Sequence, residues 1–467
     1  MPLKSLQISL FLFVFFSLQT FFCKADHYMG GFFSYEYLQN DSFLIRLYTF
    51  TDTRGRDNDR DSVNINYGDN KYGFLKRINT PGEKLNPLTK INIYEGKYKY
   101  DKFGIYQLTF LDQFRLSNIR NMTRGMSTIT HIYVTSILPY ENPNTNCLNN
   151  SPVATAYPNL NFKTGETAKV NFGLWDKDGD SLSYQIVPMK ARNGNTAPGY
   201  YTPSNASINA QTGDFTFSNM QRGDFGFAVL VKEYRAKKVI AETIYDFTIR
   251  VTDNHVTQSS FIVNNNQFNF LSNNSNSTFT VETQNTNADS VWIDFKGSIH
   301  QNNALQYTID TIEWNKNKCK FNITVNYTNN NQFSAFQNLI IRTHFKIDTN
   351  LYFNDYPINF LVPHNLLSNC TVSDIEKVIE VQPIIDTFSP SKIIFSNEGF
   401  WLNAGENTDN ISIDLYDIRG RLINRFENIN PSVFKVEVNN LSAAIYILVI
   451  YRDQNLENAT VQKLIKL

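Results

Sequence analysis

An all-β chain made of tandem antiparallel β-sandwich domains is predicted by three observations. Short runs of alternating apolar and polar residues recur along the sequence, and Gly, Asn and Asp bound those runs. The composition is also aromatic-rich and charge-poor, with 37 Phe, 25 Tyr and only 18% charged residues. Such a balance suits β-structure facing an extracytoplasmic solvent better than a helical cytosolic enzyme. A hydrophobic content of 42% excludes a disordered chain, and 467 residues are enough for about three or four domains. Lys+Arg and Asp+Glu both number 43, so no bulk field favours nucleic acid as a partner.

Residues 1–25 read as a signal peptide. Lys4 supplies the basic start, Leu6–Phe22 the apolar stretch, and Cys23-Lys24-Ala25 places small residues at the two positions that a signal peptidase reads. The longest later apolar run, Ala443–Tyr451, is strand-length and far short of the ~20 residues of a membrane helix. The expectation is an exported mature chain, cleaved near Ala25, without a transmembrane anchor. Export permits disulfides, and Cys319 with Cys370 is the candidate bridge, leaving Cys147 over.

From Asp26 to about residue 145, strands are expected at Phe33/Tyr35/Tyr37, Phe43/Ile45/Leu47, Val63/Ile65/Tyr67 and Ile129–Ile137. Asp52–Asp61 reads as a long solvated loop in which Arg54, Arg56 and Arg60 compensate Asp57, Asp59 and Asp61. After Asn142-Pro143-Asn144, a second sandwich is expected over 146–255. Its strands are Lys169–Phe172, Ser181–Val187, Gly213–Phe217, Phe225–Val231 and Thr243–Val251. In the last of these, Tyr245, Phe247, Ile249 and Val251 face one way, with Asp246, Thr248 and Arg250 between them. Residues 256–386 form a third β-rich unit of unassigned type, alternating at Phe279/Val281 and Phe321/Ile323/Val325. A fourth unit spans 390–467.

Asp176, Asp178 and Asp180 alternate around Gly179 in Asp-Lys-Asp-Gly-Asp, and carboxylates so crowded repel unless a cation lies between them. Ca²⁺ is the candidate cofactor, with Asp253 as a further ligand at the domain end. An EF-hand is excluded, because Val187 stands where its bidentate Glu is required. Catalytic patterns are missing: there is no GxSxG elbow, no HExxH and no P-loop. The six histidines are scattered, and His131 and His344 lie inside apolar runs, where packing is the expected role.

Two stretches carry family resemblances. Ile411–Ile423, Val436–Leu448 and Lys463–Leu467 resemble the type A C-terminal sorting domain of type IX secretion cargo in Bacteroidota. The matching residues are Asp417, Gly420, Arg421, Leu441, Tyr446 and Lys463. The N-terminal half resembles gliding-motility-associated surface proteins with cadherin-like, polycystic-kidney-disease-like domains. His27–Tyr37, Asp112–Ile119, Asn149–Pro152, Trp175–Tyr184 and Glu233-Tyr234-Arg235 carry that resemblance. The Tyr-Arg-Asp-Cys usual after the second strand is replaced near Tyr48–Thr51, which fits an unpaired Cys147.

These resemblances imply export by the Sec and type IX machineries. They further imply a non-catalytic role at the outer cell surface or in the medium: adhesion to a glycan, a substratum or a surface protein. A structural stalk of a surface complex is the alternative, and an extracellular hydrolase with its site in 256–386 the third reading.

Overall fold

The structure is a computed structural model. It describes residues 28–361 except 55–59, 114, 124–126, 128–129, 143–147, 237, 254–259, 265–267, 271–274, 302–304, 316 and 328–335, together with the strands between 392 and 466. The described residues contain strands and two single 3₁₀ turns but no α-helix. Among the described residues, the strand pairs are antiparallel apart from two. The all-β prediction therefore holds. No described helix is long and apolar enough to cross a membrane. The signal segment, Cys147 and Cys370 lie outside the described residues.

The chain divides into two compact units, 1–380 and 381–467. In the first, the strands begin β1 Tyr28–Tyr37, β2 Ser42–Asp52, β3 Ser62–Asn66, β4 Tyr72–Arg77, β5 Glu83–Asn86, β6 Thr89–Lys99, β7 Gly104–Asp112 and β8 Ile132–Tyr140. They continue as β9 Val153–Ala154, β10 Asn161–Lys163, β11 Ala168–Val170, β12 Leu174–Trp175, β13 Ser181–Val187, β14 Ala206–Ile208, β15 Phe215–Phe217, β16 Gly223–Arg235 and β17 Lys238–Thr252. One sheet runs in the order β1-β2-β6-β4-β3-β7-β8-β17-β16-β13. Because β17 also pairs with β1, through Gly30↔Phe247 and Gly31↔Asp246, the first eight strands of that order close into a circuit.

A first core fills the circuit, with Phe33 and Tyr35 of β1, Phe43, Ile45 and Leu47 of β2, Val63 and Ile65 of β3, and Leu108 and Val134 of β7 and β8. A second core lies on the opposite faces of β1, β2 and β17. Phe32 is stacked there between Tyr48 at 4.6 Å and Tyr245 at 4.4 Å. The three-stranded sheet β11-β15-β14 covers it with Val170, Phe215 and Phe217. Period-two alternation thus sends successive residues of one strand into different cores.

This arrangement corrects the expected boundary at 145/146. Strands from both sides of it share one sheet, and Met29, Phe50 and Phe247 share one core. Asp246, Thr248 and Arg250 are buried as deeply as the apolar residues between them. Each charged one is answered. Arg115 donates two hydrogen bonds to Asp246, at 2.8 and 2.9 Å, and Arg250 reaches Asp52 at 2.7 Å and Asp224 at 3.0 Å. Asp52 is fully buried rather than part of a solvated loop. Of the loop's described charges, Arg54 folds back on Asp52, whereas Arg60 pairs with Asp112 and Asp61 with Arg77.

The remainder of the first unit forms a separate pair of sheets. Its strands are β18 Ser260–Asn264, β19 Phe268–Phe270, β20 Ser275–Gln284, β21 Ser290–Lys296, β22 Leu305–Asn315, β23 Lys318–Tyr327, β24 Phe336–Ile347 and β25 Asn350–Leu361. They are ordered β18-β20-β23-β22 and β19-β25-β24-β21 around a core that includes Phe279, Val281, Phe321, Ile323 and Val325. Cys319 is a buried free thiol in that core, 3.6 Å from the Val291 carbonyl oxygen. His344 packs flat on Trp292, and burial lowers its pKa to about 4.

The second unit contains β26 Lys392–Ser396, β27 Gly399–Asn403, β28 Ile411–Asp417, β29 Leu422–Ile429, β30 Phe434–Glu437, β31 Ala444–Arg452 and β32 Asn455–Lys466. These make sheets of order β26-β27-β30 and β29-β28-β31-β32. Asp417, Tyr446 and Lys463 fall on strands, whereas Gly420, Arg421 and Leu441 lie outside the described residues.

Two tests follow from this packing. A Cβ on Gly30, where φ is +141°, would stand 2.0 Å from the Asp246 carbonyl oxygen, and a backbone obstacle cannot swing aside. Gly30→Ala is expected to lower unfolding free energy by about 2–3 kcal/mol in urea denaturation. Burial opposes ionisation of Asp52, but hydrogen bonds and charge from Arg54 and Arg250 outweigh it and hold the pKa at about 2. A depressed carboxylate stabilises fully above the unfolded value of ~3.9 and loses that contribution as pH falls through the folded one. The unfolding free energy should therefore fall between pH 4 and 2 by about 2 kcal/mol more in wild type than in Asp52→Asn, read by urea denaturation at each pH.

Candidate functional site

Three chain connections meet at one end of β16. The short pairing of β9 with β12, Val153 opposite Trp175, brings Asn149–Ser151 beside the turn Asp176–Asp180. Register between β13 and β16 sets Ser181 opposite Tyr234 and Leu182 opposite Glu233, so Asp180 arrives at Arg235. β1 contributes Tyr35 from the first core. Gly179, at φ +81°, supplies the left-handed turn that a residue with a Cβ adopts poorly.

Asp176 organises the turn. Its Oδ1 accepts the backbone N–H of Asp178 at 3.0 Å and of Asp180 at 2.9 Å. Asp178 accepts from the backbone and side-chain nitrogens of Asn150, at 2.6 and 2.8 Å, and its Oδ2 lies 3.6 Å from Arg235. Asn150 Oδ1 in turn accepts the Tyr37 N–H at 2.8 Å. Arg235 forks onto Asp180 at 2.8 and 2.5 Å and reaches Asn149 Oδ1 at 3.0 Å. Asn149 donates to Glu233 at 2.7 Å and to the Tyr35 hydroxyl at 3.1 Å, while that hydroxyl donates to the Ile137 carbonyl. Ser151 exchanges hydrogen bonds with the Tyr35 backbone, donating its N–H at 3.0 Å and accepting at 2.7 Å.

The electrostatics are unbalanced. Asp176, Asp180 and Glu233 are all buried, and one carboxylate oxygen from each lies within 4.8 Å of the others. Four carboxylates, counting Asp178, face the single guanidinium of Arg235. Burial, then the neighbouring Asp180 and Asp178, pushes the Asp176 carboxyl well above its ordinary range. Burial and Asp176 do the same to Glu233. Burial raises Asp178 and Asp180 as well, even against the hydrogen bonds they accept. Among the described residues, Asp176 Oδ2 and Glu233 Oε1 are buried oxygens with no hydrogen-bond partner.

The expected ligand set is thus only partly assembled. Asp176 and Asp180 converge, and Asp178 stands at the rim on Asn150. Asp253 belongs elsewhere: it is exposed, accepts from Thr164 at 2.7 Å and pairs with Arg222. Glu233 lies opposite Ala241, near the start of β17, whereas Asp253 follows its last residue. At ~3.3 Å per residue those twelve positions separate them by about 40 Å of strand. Glu233, Arg235, Asn149 and Tyr35 complete the site, and the spacing of the acidic turn does not point to them. Three short motifs hold them, His27–Tyr37, Asn149–Pro152 and Glu233–Arg235, and their meeting is visible only in three dimensions.

Asn149 is the crosspiece of this network, touching Tyr35, Glu233 and Arg235. Asn149→Ala strips partners from groups that remain buried, so a loss of about 2–3 kcal/mol is expected in urea denaturation of the full chain. A surface control such as Gln211→Ala, at an exposed position, should stay within about 0.5 kcal/mol.

No protein-family profile matches the chain, and no curated protein matches it. Solved structures align with it weakly. Cadherin-like domains 1 to 4 of zebrafish RET share 9% identity over 87% of this chain and 96% of that one, with a TM-score of 0.15. The major pilin subunit of Bacillus cereus shares 10% over 65% and 94%, with a TM-score of 0.18. The Dpr2 Ig1-Ig2 structure, solved in complex with DIP-Theta Ig1-Ig3, shares 12% over 45% and 96%, with a TM-score of 0.17. At such scores the superpositions carry no argument about this chain, and its fold rests on its own strands and registers.

Proposed function

We propose that the chain is a secreted, non-catalytic surface protein. In this reading it is exported by Sec, passed to the type IX machinery through its C-terminal unit, and binds a ligand outside the cell. The supporting observation is aromatic surface that the cores leave uncovered. Tyr72 and Phe74 on β4 are 62% and 68% exposed, and Trp314 on β22 is 58% exposed. In a chain this rich in aromatics most rings are buried, so large rings left in solvent on regular strands are the natural contact residues. They bring broad area at low cost in side-chain entropy. Glycans, a substratum and surface proteins all present faces on which such rings pack.

The test compares cells making the full protein, a truncation before Ser389, and full-length Tyr72→Ala/Phe74→Ala/Trp314→Ala. Surface protease should shave the full protein and the triple variant, while the truncation stays protected in the periplasm. The triple variant should lose adhesion roughly tenfold with display unchanged, as loss of an interface anchor does. Equal protection of all three forms would sink the export reading, and full adhesion by the triple variant would sink the binding one.

A further inference from the structure

We propose that Asp176, Asp180 and Glu233 form a divalent-cation site, with Ca²⁺ the fitting ion, that joins the Asn149–Ser151 segment and the Asp176–Asp180 turn to β16. Its centre is Glu233, a strand residue, and it excludes Asp253. This goes beyond the binding role proposed above and stands apart from it.

Three observations carry the inference. First, one oxygen from each of the three carboxylates lies within 4.8 Å of the other two. Three carboxylate oxygens that close are within reach of one ion, and hard oxygen donors supplied by the protein itself are what Ca²⁺ gathers at ~2.4 Å, whereas Mg²⁺ keeps most of its waters. Second, Asp176 and Glu233 are 2% and 0% exposed, and each keeps an oxygen without a hydrogen-bond partner among the described residues. A buried acceptor left open is costly unless something supplies positive charge to it. Third, the fixed positive charge at hand is already committed: Arg235 spends two nitrogens on Asp180 and one of them again on Asn149 Oδ1.

The other neighbours leave room for an ion without replacing it. Tyr35 turns its hydroxyl proton to the Ile137 carbonyl, Asn149 serves Glu233 Oε2, and Lys177 reaches out to Glu36. Asp178 is held by Asn150 and lies 3.6 Å from Arg235, outside the set of three.

Metal-stripped full-length mature protein is the material, because a 146–255 fragment would lose β1 and β8, the neighbours of β17. Tb³⁺ luminescence, sensitised by Tyr35, and the thermal midpoint during CaCl₂ titration are the readouts. Wild type should show one saturable site displaced by Ca²⁺ at micromolar to millimolar concentration, and a midpoint raised by several degrees. Glu233→Gln should weaken binding at least tenfold, and Asp253→Asn should leave it unchanged. Where Glu233→Gln does not fold, wild type and Asp253→Asn decide the matter. No saturable signal in wild type, equal binding by a folded Glu233→Gln, or loss of binding in Asp253→Asn each overturns the proposal. In the first case the carboxylates are held together by shared protons.

Discussion

A strand buried on both faces has no solvent to answer its polar side chains, and β17 is in that position along most of its length. Its apolar side chains, from Tyr245 to Val251, enter the second core, while Asp246, Thr248 and Arg250 alternate with them and are just as buried. Everything around it follows from satisfying that second face. Arg115 is brought from the segment after β7 to meet Asp246, and Asp52 ends β2 where Arg250 requires an anion. Removing one member of such a pair leaves a buried charge unanswered, which costs far more than the pair contributes. The ion pairs therefore act less as glue than as a registry: β17 can close the circuit only in the alignment that supplies each charge with its partner.

The acidic cluster extends the same logic to the end of β16, with one difference. Around β17 opposite charges are matched, whereas around Glu233 carboxylates outnumber the guanidinium. Matched pairs give a fixed structure. An unmatched cluster makes the local structure depend on what the solution supplies, whether protons or a cation.

Local patterning was enough to read much of this architecture. The stripe Tyr245/Phe247/Ile249/Val251, the strand Ser181–Val187 and the core pairs Phe279/Val281 and Phe321/Ile323/Val325 were visible because alternation is encoded within a few residues. What stayed hidden was long-range. Asp246 and its partner Arg115 are 131 positions apart, and Arg250 and Asp52 are 198 apart, so nothing nearby marks these polar residues as buried. The candidate site divides in the same way. The carboxylates of one turn were legible, but Glu233 enters from a strand paired with β13, and Asp253 looked suitable only because sequence distance conceals the length of an intervening strand. The boundary at 145/146 failed for a related reason: a Pro/Asn-rich connection marks a break in secondary structure, and the sheet continues across it.

The pairing of β1 with β17 also has a temporal side. Gly30 cannot meet Phe247 until nearly all of the intervening chain is available, so the first core stays open while the N-terminal two hundred or so residues emerge. Contacts this distant in sequence make folding slow, because loop closure comes before any reward. Neighbours in sequence such as β1 with β2, β3 with β4 and β7 with β8 can pair early, but the circuit stays open until the trailing strand arrives. The same topology that fixes the native registry thus keeps the chain from committing to it too early.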